Sequence, residues 1–109
     1  MDSGRPVMDK YIEKILIGTS IRPMTPMRIS EIYGIPIATC HRKIHMLERF
    51  GLVVCVKKYF SNGNGPIKVY KASEEKVKVS RENGLYIVRI SVSLDIAVDL
   101  HRGSYNYGS

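Results

Sequence analysis

Cys40, His41, His45 and Cys55 are the side chains in this sequence best suited to bind a metal ion. His41 and His45 stand four apart, the spacing at which two imidazoles on one helix face can hold zinc between them. A stable site needs further ligands beside them, and the pattern supplies none. Cys40 falls in the apolar stripe of the same segment, Cys55 lies in an apolar strand-like run, and no CxxC pair occurs. Both cysteines therefore read as reduced core residues, and no metal or other cofactor is expected. Enzymatic chemistry is not expected either. Walker, dinucleotide-binding and zinc-protease motifs are missing, and Gly63-Asn64-Gly65 falls in a hairpin tip rather than a strand-to-helix turn.

What remains is positive charge, and its placement is informative. Lys and Arg number 17 against 10 Asp and Glu, net +7, with a pI near 9.6. Residues 1–20 and 80–109 are each neutral overall, with three cations against three anions. Residues 21–58 carry net +5 and residues 59–79 net +2. A basic middle between neutral ends points to a polyanion-binding surface on that segment.

The 109 residues suffice for one domain with a core that needs neither disulfides nor a structural metal. The longest apolar run, Leu52–Val56, is far short of a membrane span, and MDSGRPVMDKY lacks the apolar region of a signal peptide. The expected compartment is the cytoplasm, with no membrane partner.

The hydrophobic period changes along the chain. Met8, Tyr11, Ile12, Ile15 and Leu16 recur at three and four, predicting helix 1 over Met8–Ile17 with an end near Gly18. Thr25 and Pro26 supply the N-cap and first-turn proline of helix 2, which should turn Ile29, Ile32 and Tyr33 inward and close at Gly34. Helix 3 follows Pro36, buries Cys40, Ile44 and Leu47, and ends at Gly51. The period then becomes two. Leu52–Phe60 and Ile67–Ala72 form a hairpin with a six-residue tip, Ser61–Pro66. A second hairpin is expected from Lys76–Ser80 and Leu85 onward, turning through Arg81-Glu82-Asn83-Gly84. Alternation continues from Tyr86 to Leu100, longer than a typical strand, so the strand bends or Ser93 caps a short helix over 94–101.

Three helices followed by a basic hairpin predict an α+β fold that resembles the winged helix-turn-helix. The resemblance is carried by ISEIYGIPIATCHRKIHMLERFGLV, Ile29–Val53. Two helices crossing at close range need a small residue at the contact, a left-handed glycine four positions later and an apolar residue six further on. Ser30, Gly34 and Cys40 meet these needs. The following Leu47–Val53 is similar to the approach to the wing in the MarR and ArsR groups of prokaryotic regulators. The likeness spans residues 8–73. Residues 74–102 form a β extension outside it, and 1–7 and 103–109 read as mobile tails.

The resemblance implies a transcription regulator that binds double-stranded DNA in a sequence-specific way, with helix 3 in the major groove. Arg42 is the leading base reader, because a guanidinium pairs with guanine O6 and N7 through two bonds. Ile37 and Ala38 suit a thymine methyl, Thr39 and Lys43 suit phosphates, and His41 and His45 can donate to either. In the wing, Lys57, Lys58 and Lys68 would hold the backbone, with Asn62 and Asn64 close to it at the tip. That tip has no charge, unlike wings that send an arginine into the minor groove. Tyr59 and Tyr70 at strand spacing read as cross-strand packing, with base stacking the alternative. The paired-cysteine metal signature of ArsR-type sensors is missing from Ile29–Tyr33. The alternative function is a winged-helix protein-interaction module within a larger assembly. The long apolar face of residues 85–101 calls for a cover, and a homodimer through that segment would supply it.

Overall fold

The computed structural model describes residues 9–61, 63 and 65–91. Expectations for Met8, both tails and residues 92–102, including the helix proposed after Ser93, lie outside the described residues. Helix α1, Lys10–Ile21, starts at Asp9, whose carboxylate accepts the Ile12 N–H at 2.8 Å. It buries Ile12, Ile15 and Leu16 and runs through Gly18 rather than ending there. The physical reason is closeness. A Cβ on Gly18 would stand 2.6 Å from Cε2 of Tyr33, so glycine is placed where α2 comes down on α1.

Helix α2, Pro26–Tyr33, opens as expected, with Thr25 accepting the Arg28 N–H at 3.2 Å and proline in the first turn. Ile29 is fully buried and Tyr33 half-buried, but Ile32 is 49% exposed, contrary to its expected inward position. An eight-residue helix lying on the surface has only a narrow stripe to bury, and Ile29 with Pro26 fills it. Helix α3, Ile37–Arg49, buries Cys40, Ile44 and Leu47 as the spacing requires. Gly51, at φ +76°, ends it: the Gly51 N–H bonds Glu48 O and the Leu52 N–H bonds Leu47 O, both at 2.9 Å.

Strands β1, Val53–Ser61, and β2, Gly65–Ala72, pair antiparallel. Ser61 faces Gly65 and Phe60 faces Pro66, so the expected six-residue tip shrinks to residues 62–64. The pairing skips Val56, a bulge that separates the register at Cys55 from the register at Lys57. On its other edge β2 makes a single bridge to the connection between α1 and α2. Met24 and Tyr70 exchange both backbone bonds, at 2.9 and 2.8 Å.

Strands β3, Val77–Glu82, and β4, Leu85–Ile90, form the second hairpin. Its turn is the pair Asn83-Gly84 rather than four residues, with φ values of +54° and +81°. Two consecutive positive φ angles match the right-handed twist of a hairpin, and Asn-Gly is the dipeptide that tolerates them best. This hairpin lies on α1 and shares the one core. Val77 and Val88 are buried beside Ile12, Ile15, Leu16, Ile29, Leu47 and Tyr70. The chain is thus α+β, three helices and two antiparallel hairpins, a layout compatible with a winged helix. Among the described residues no helix is long and apolar enough to cross a membrane.

Candidate nucleic-acid interface

The α2–α3 turn is held by Ser30 and Gly34. Gly34 adopts φ +68°, which lets its N–H return to Ser30 O, and Ser30 Oγ donates to Ile35 O at 2.5 Å. Between the helices Cys40 is fully buried, with Sγ 3.5 Å from Pro26 O. Burial pushes its thiol pKa up, so it stays protonated and unreactive. Gly34 and Cys40 therefore do the tasks assigned to them, and Ser30 serves the turn through its hydroxyl and carbonyl.

With one stripe of α3 committed to the core, the opposite stripe is open. Ala38, Arg42, His45 and Arg49 follow each other at four, three and four and are all exposed. Ile37 and His41 are exposed beside them, and Thr39 is half-buried on the far flank. Pro36 at the N-cap has no side chain to cap with, so the first N–H groups of α3 receive no side-chain bond. Arg49 is not among the expected contacts. Its register seven residues from Arg42, two turns along the same face, is the signal that could have found it.

Lys43 departs from its expected role on phosphate. Its Nζ lies 2.6 Å from Oδ2 of Asp9, and its side chain is only 19% exposed. Asp9 uses one oxygen to cap α1 and the other to hold Lys43, so this cation ties α3 to α1. The ring centroids of His41 and His45 are 6.3 Å apart and tilted by 52°. Among the described residues no three His, Cys, Asp or Glu side chains are grouped to hold a metal ion.

The wing splits its lysines between two faces. Lys58 and Lys68 are direct cross-strand partners. They share the β2 face of Tyr70, whose ring is buried and whose hydroxyl lies against Glu48 of α3. Burial first, then the Glu48 carboxylate and Cys55, push the Tyr70 pKa up to about 12, so the phenol remains a neutral donor. Base stacking by Tyr70 is thereby ruled out, because its ring is part of the core. Lys57 points to the other face, with Nζ 4.9 Å from the centroid of the Tyr59 ring. It nevertheless lines the same depression as Lys58 and Lys68. This shallow depression, lined by Glu48, Cys55, Val56, Lys57, Lys58 and Lys68, connects the wing lysines to the last turn of α3. Asn62 and Asn64 lie outside the described residues, while Gly63 and Gly65 between and beside them have φ of +79° and +68°.

Comparison with known proteins returns no match. No family model fits the sequence, and no curated protein or solved structure is significantly similar to it. Function must therefore be argued from the surface itself. That surface has a second feature, a cleft of about 620 Å³ between the end of α1, α2 and the wing. Ile21, Ile32, Tyr33 and Tyr59 line it together with Arg22 and Arg28.

Proposed function

We propose that this chain is a winged helix-turn-helix that binds double-stranded DNA with sequence preference and regulates transcription, without chemistry of its own. The supporting observation is the open stripe Ala38, Arg42, His45 and Arg49 on a helix whose other side is anchored in the core. A helix of this size fits the major groove of B-form DNA. Arg42, near the N-terminal half, reads bases, and Arg49, one helix end away, holds phosphate. The wing adds Lys58 and Lys68 on the side that faces α3.

Selection from random duplexes tests this reading: a recovered common sequence supports it, and recovery of unrelated sequences overturns sequence preference. Neutralising Lys58 and Lys68 together should weaken binding to every duplex alike. For each phosphate that the wing no longer neutralises, the plot of log affinity against log salt should flatten by about 0.9. An unchanged slope removes the wing from the footprint.

The cleft beside Ile21, Ile32 and Tyr59 favours a second reading, a module that docks on another protein. In that case duplex binding would be weak, show no sequence preference and survive substitution of Arg42.

Self-association belongs to the proposal as well. In the described part of the 85–101 segment Val88 is 1% exposed against the core and Ile87 and Ile90 are half-buried, while Tyr86 is 45% and Leu85 67% exposed. A homodimer through this segment therefore relies on Tyr86 and on the alternating apolar residues from Val92 to Leu100, which lie outside the described residues. It would present two α3 helices to successive major grooves. Light scattering by the full chain should give twice the monomer mass, and a monomer at tens of micromolar excludes this arrangement.

A further inference from the structure

The outer end of the wing carries apolar side chains where charge would be the ordinary choice. Phe60 is 80% exposed, the highest value among the large hydrophobic residues described, and its cross-strand partner Pro66 is exposed too. Neither contributes to the core. Both stand on the face of Lys58 and Lys68, the next pair inward on that face, two residues or about 7 Å along the strands. Like charges placed directly opposite each other disfavour the hairpin. A bare aromatic at a strand end also gains little from folding. These two local costs sit side by side, and a partner that is both anionic and able to accept a flat apolar group relieves both.

Duplex DNA is such a partner. Resting on the reading above, we propose that Phe60 is a wedge. It enters the minor groove beside the segment held by α3, parts one base step and bends the duplex, while Lys58 and Lys68 neutralise flanking phosphates. Phenylalanine and proline are among the side chains that part base steps in this way, kinking the duplex toward the major groove. The missing tip arginine fits the same picture: this wing reads how easily a step opens, not the electrostatic potential of the groove. Pyrimidine–purine steps such as TA open most easily and are therefore the preferred position. Tyr59 and Ile67 are cross-strand partners on the opposite face and do not share this role.

The test uses the full chain and a duplex of about 30 base pairs with a central TA step. One duplex carries 2-aminopurine at that step, and another carries a donor and an acceptor dye at its ends. Binding should raise the 2-aminopurine fluorescence and shorten the end-to-end distance. Phe60→Ala should abolish the fluorescence rise and remove at least half of the bend, with the salt slope unchanged because the lysines still neutralise the same phosphates. Phe60→Leu should retain most of both effects. Because the ring is exposed, the thermal midpoints of the variants should match that of the parent. Binding without a fluorescence rise, or a Phe60→Ala protein that bends DNA as the parent does, overturns the wedge and leaves DNA binding standing. A parent chain that binds no duplex even at low salt overturns both. Phe60 would then be a docking residue for a protein partner.

Discussion

Arg42→Ala should erase the preference for one duplex over another while leaving general affinity largely in place. Arg42 is exposed on the open stripe of α3, one turn beyond Ala38, where a guanidinium can lie flat against a guanine edge. Removing a two-bond pairing of that type costs about 1–3 kcal/mol on the preferred site, roughly 5- to 150-fold in affinity, and much less on random DNA. Arg42→Lys should behave like the alanine variant, because an ammonium keeps the charge but not the paired donors. Equal losses on both kinds of DNA would assign Arg42 to a phosphate. Lys43 provides the contrast. Its charge is engaged by Asp9, so Lys43→Ala should act through the seating of α3 on α1 and reduce binding to all sequences together.

Leu47→Ala should produce the largest loss of stability among single substitutions on α3. The side chain is fully buried, and its carbonyl receives the Leu52 N–H that closes the helix end. Truncating a buried leucine costs about 2–5 kcal/mol, a large fraction of the roughly 5–15 kcal/mol that holds a domain of this size together. A urea titration should show a lower midpoint with the same slope. DNA binding should fall only as far as the folded population falls, and an unchanged midpoint would mean that Leu47 is not in the core.

Much of the helical part is legible in the sequence because its signals are local. Thr25-Pro26, the Ser30, Gly34 and Cys40 spacing, and the buried stripe of α3 each depend on neighbours within one or two turns. Asn83-Gly84 is local too, and the structure merely shortens the turn around it. The differences arise where distant residues decide. Gly18 reads as a terminator because glycine ends helices, but here it makes room for Tyr33, fifteen positions away. Ile32 reads as buried because its period is right, yet among the described residues it borders an open cleft and stays 49% exposed. Lys43 reads as free because its partner, Asp9, caps another helix. The split of Lys57 from Lys58 follows from simple strand alternation and is legible in the sequence, whereas the Val56 bulge that shifts the register between Cys55 and Lys57 is disclosed by no hydrophobic pattern.

The single bridge between Met24 and Tyr70 makes the wing a cantilever. Inboard of that point β2 is gripped on both edges, by β1 at Cys55 and by Met24, and its Tyr70 ring is set in the core. Outboard of it, among the described residues, Lys57–Ser61 and Gly65–Val69 have backbone pairing only with each other. A two-stranded ribbon without a third partner bends readily. Its load is therefore carried at the root, by the same strand that touches Glu48 of α3. In the proposed complex, a deflection at Phe60 would reach α3 as a torque about Tyr70, so that the seating of the wing and the tilt of α3 would be mechanically one adjustment.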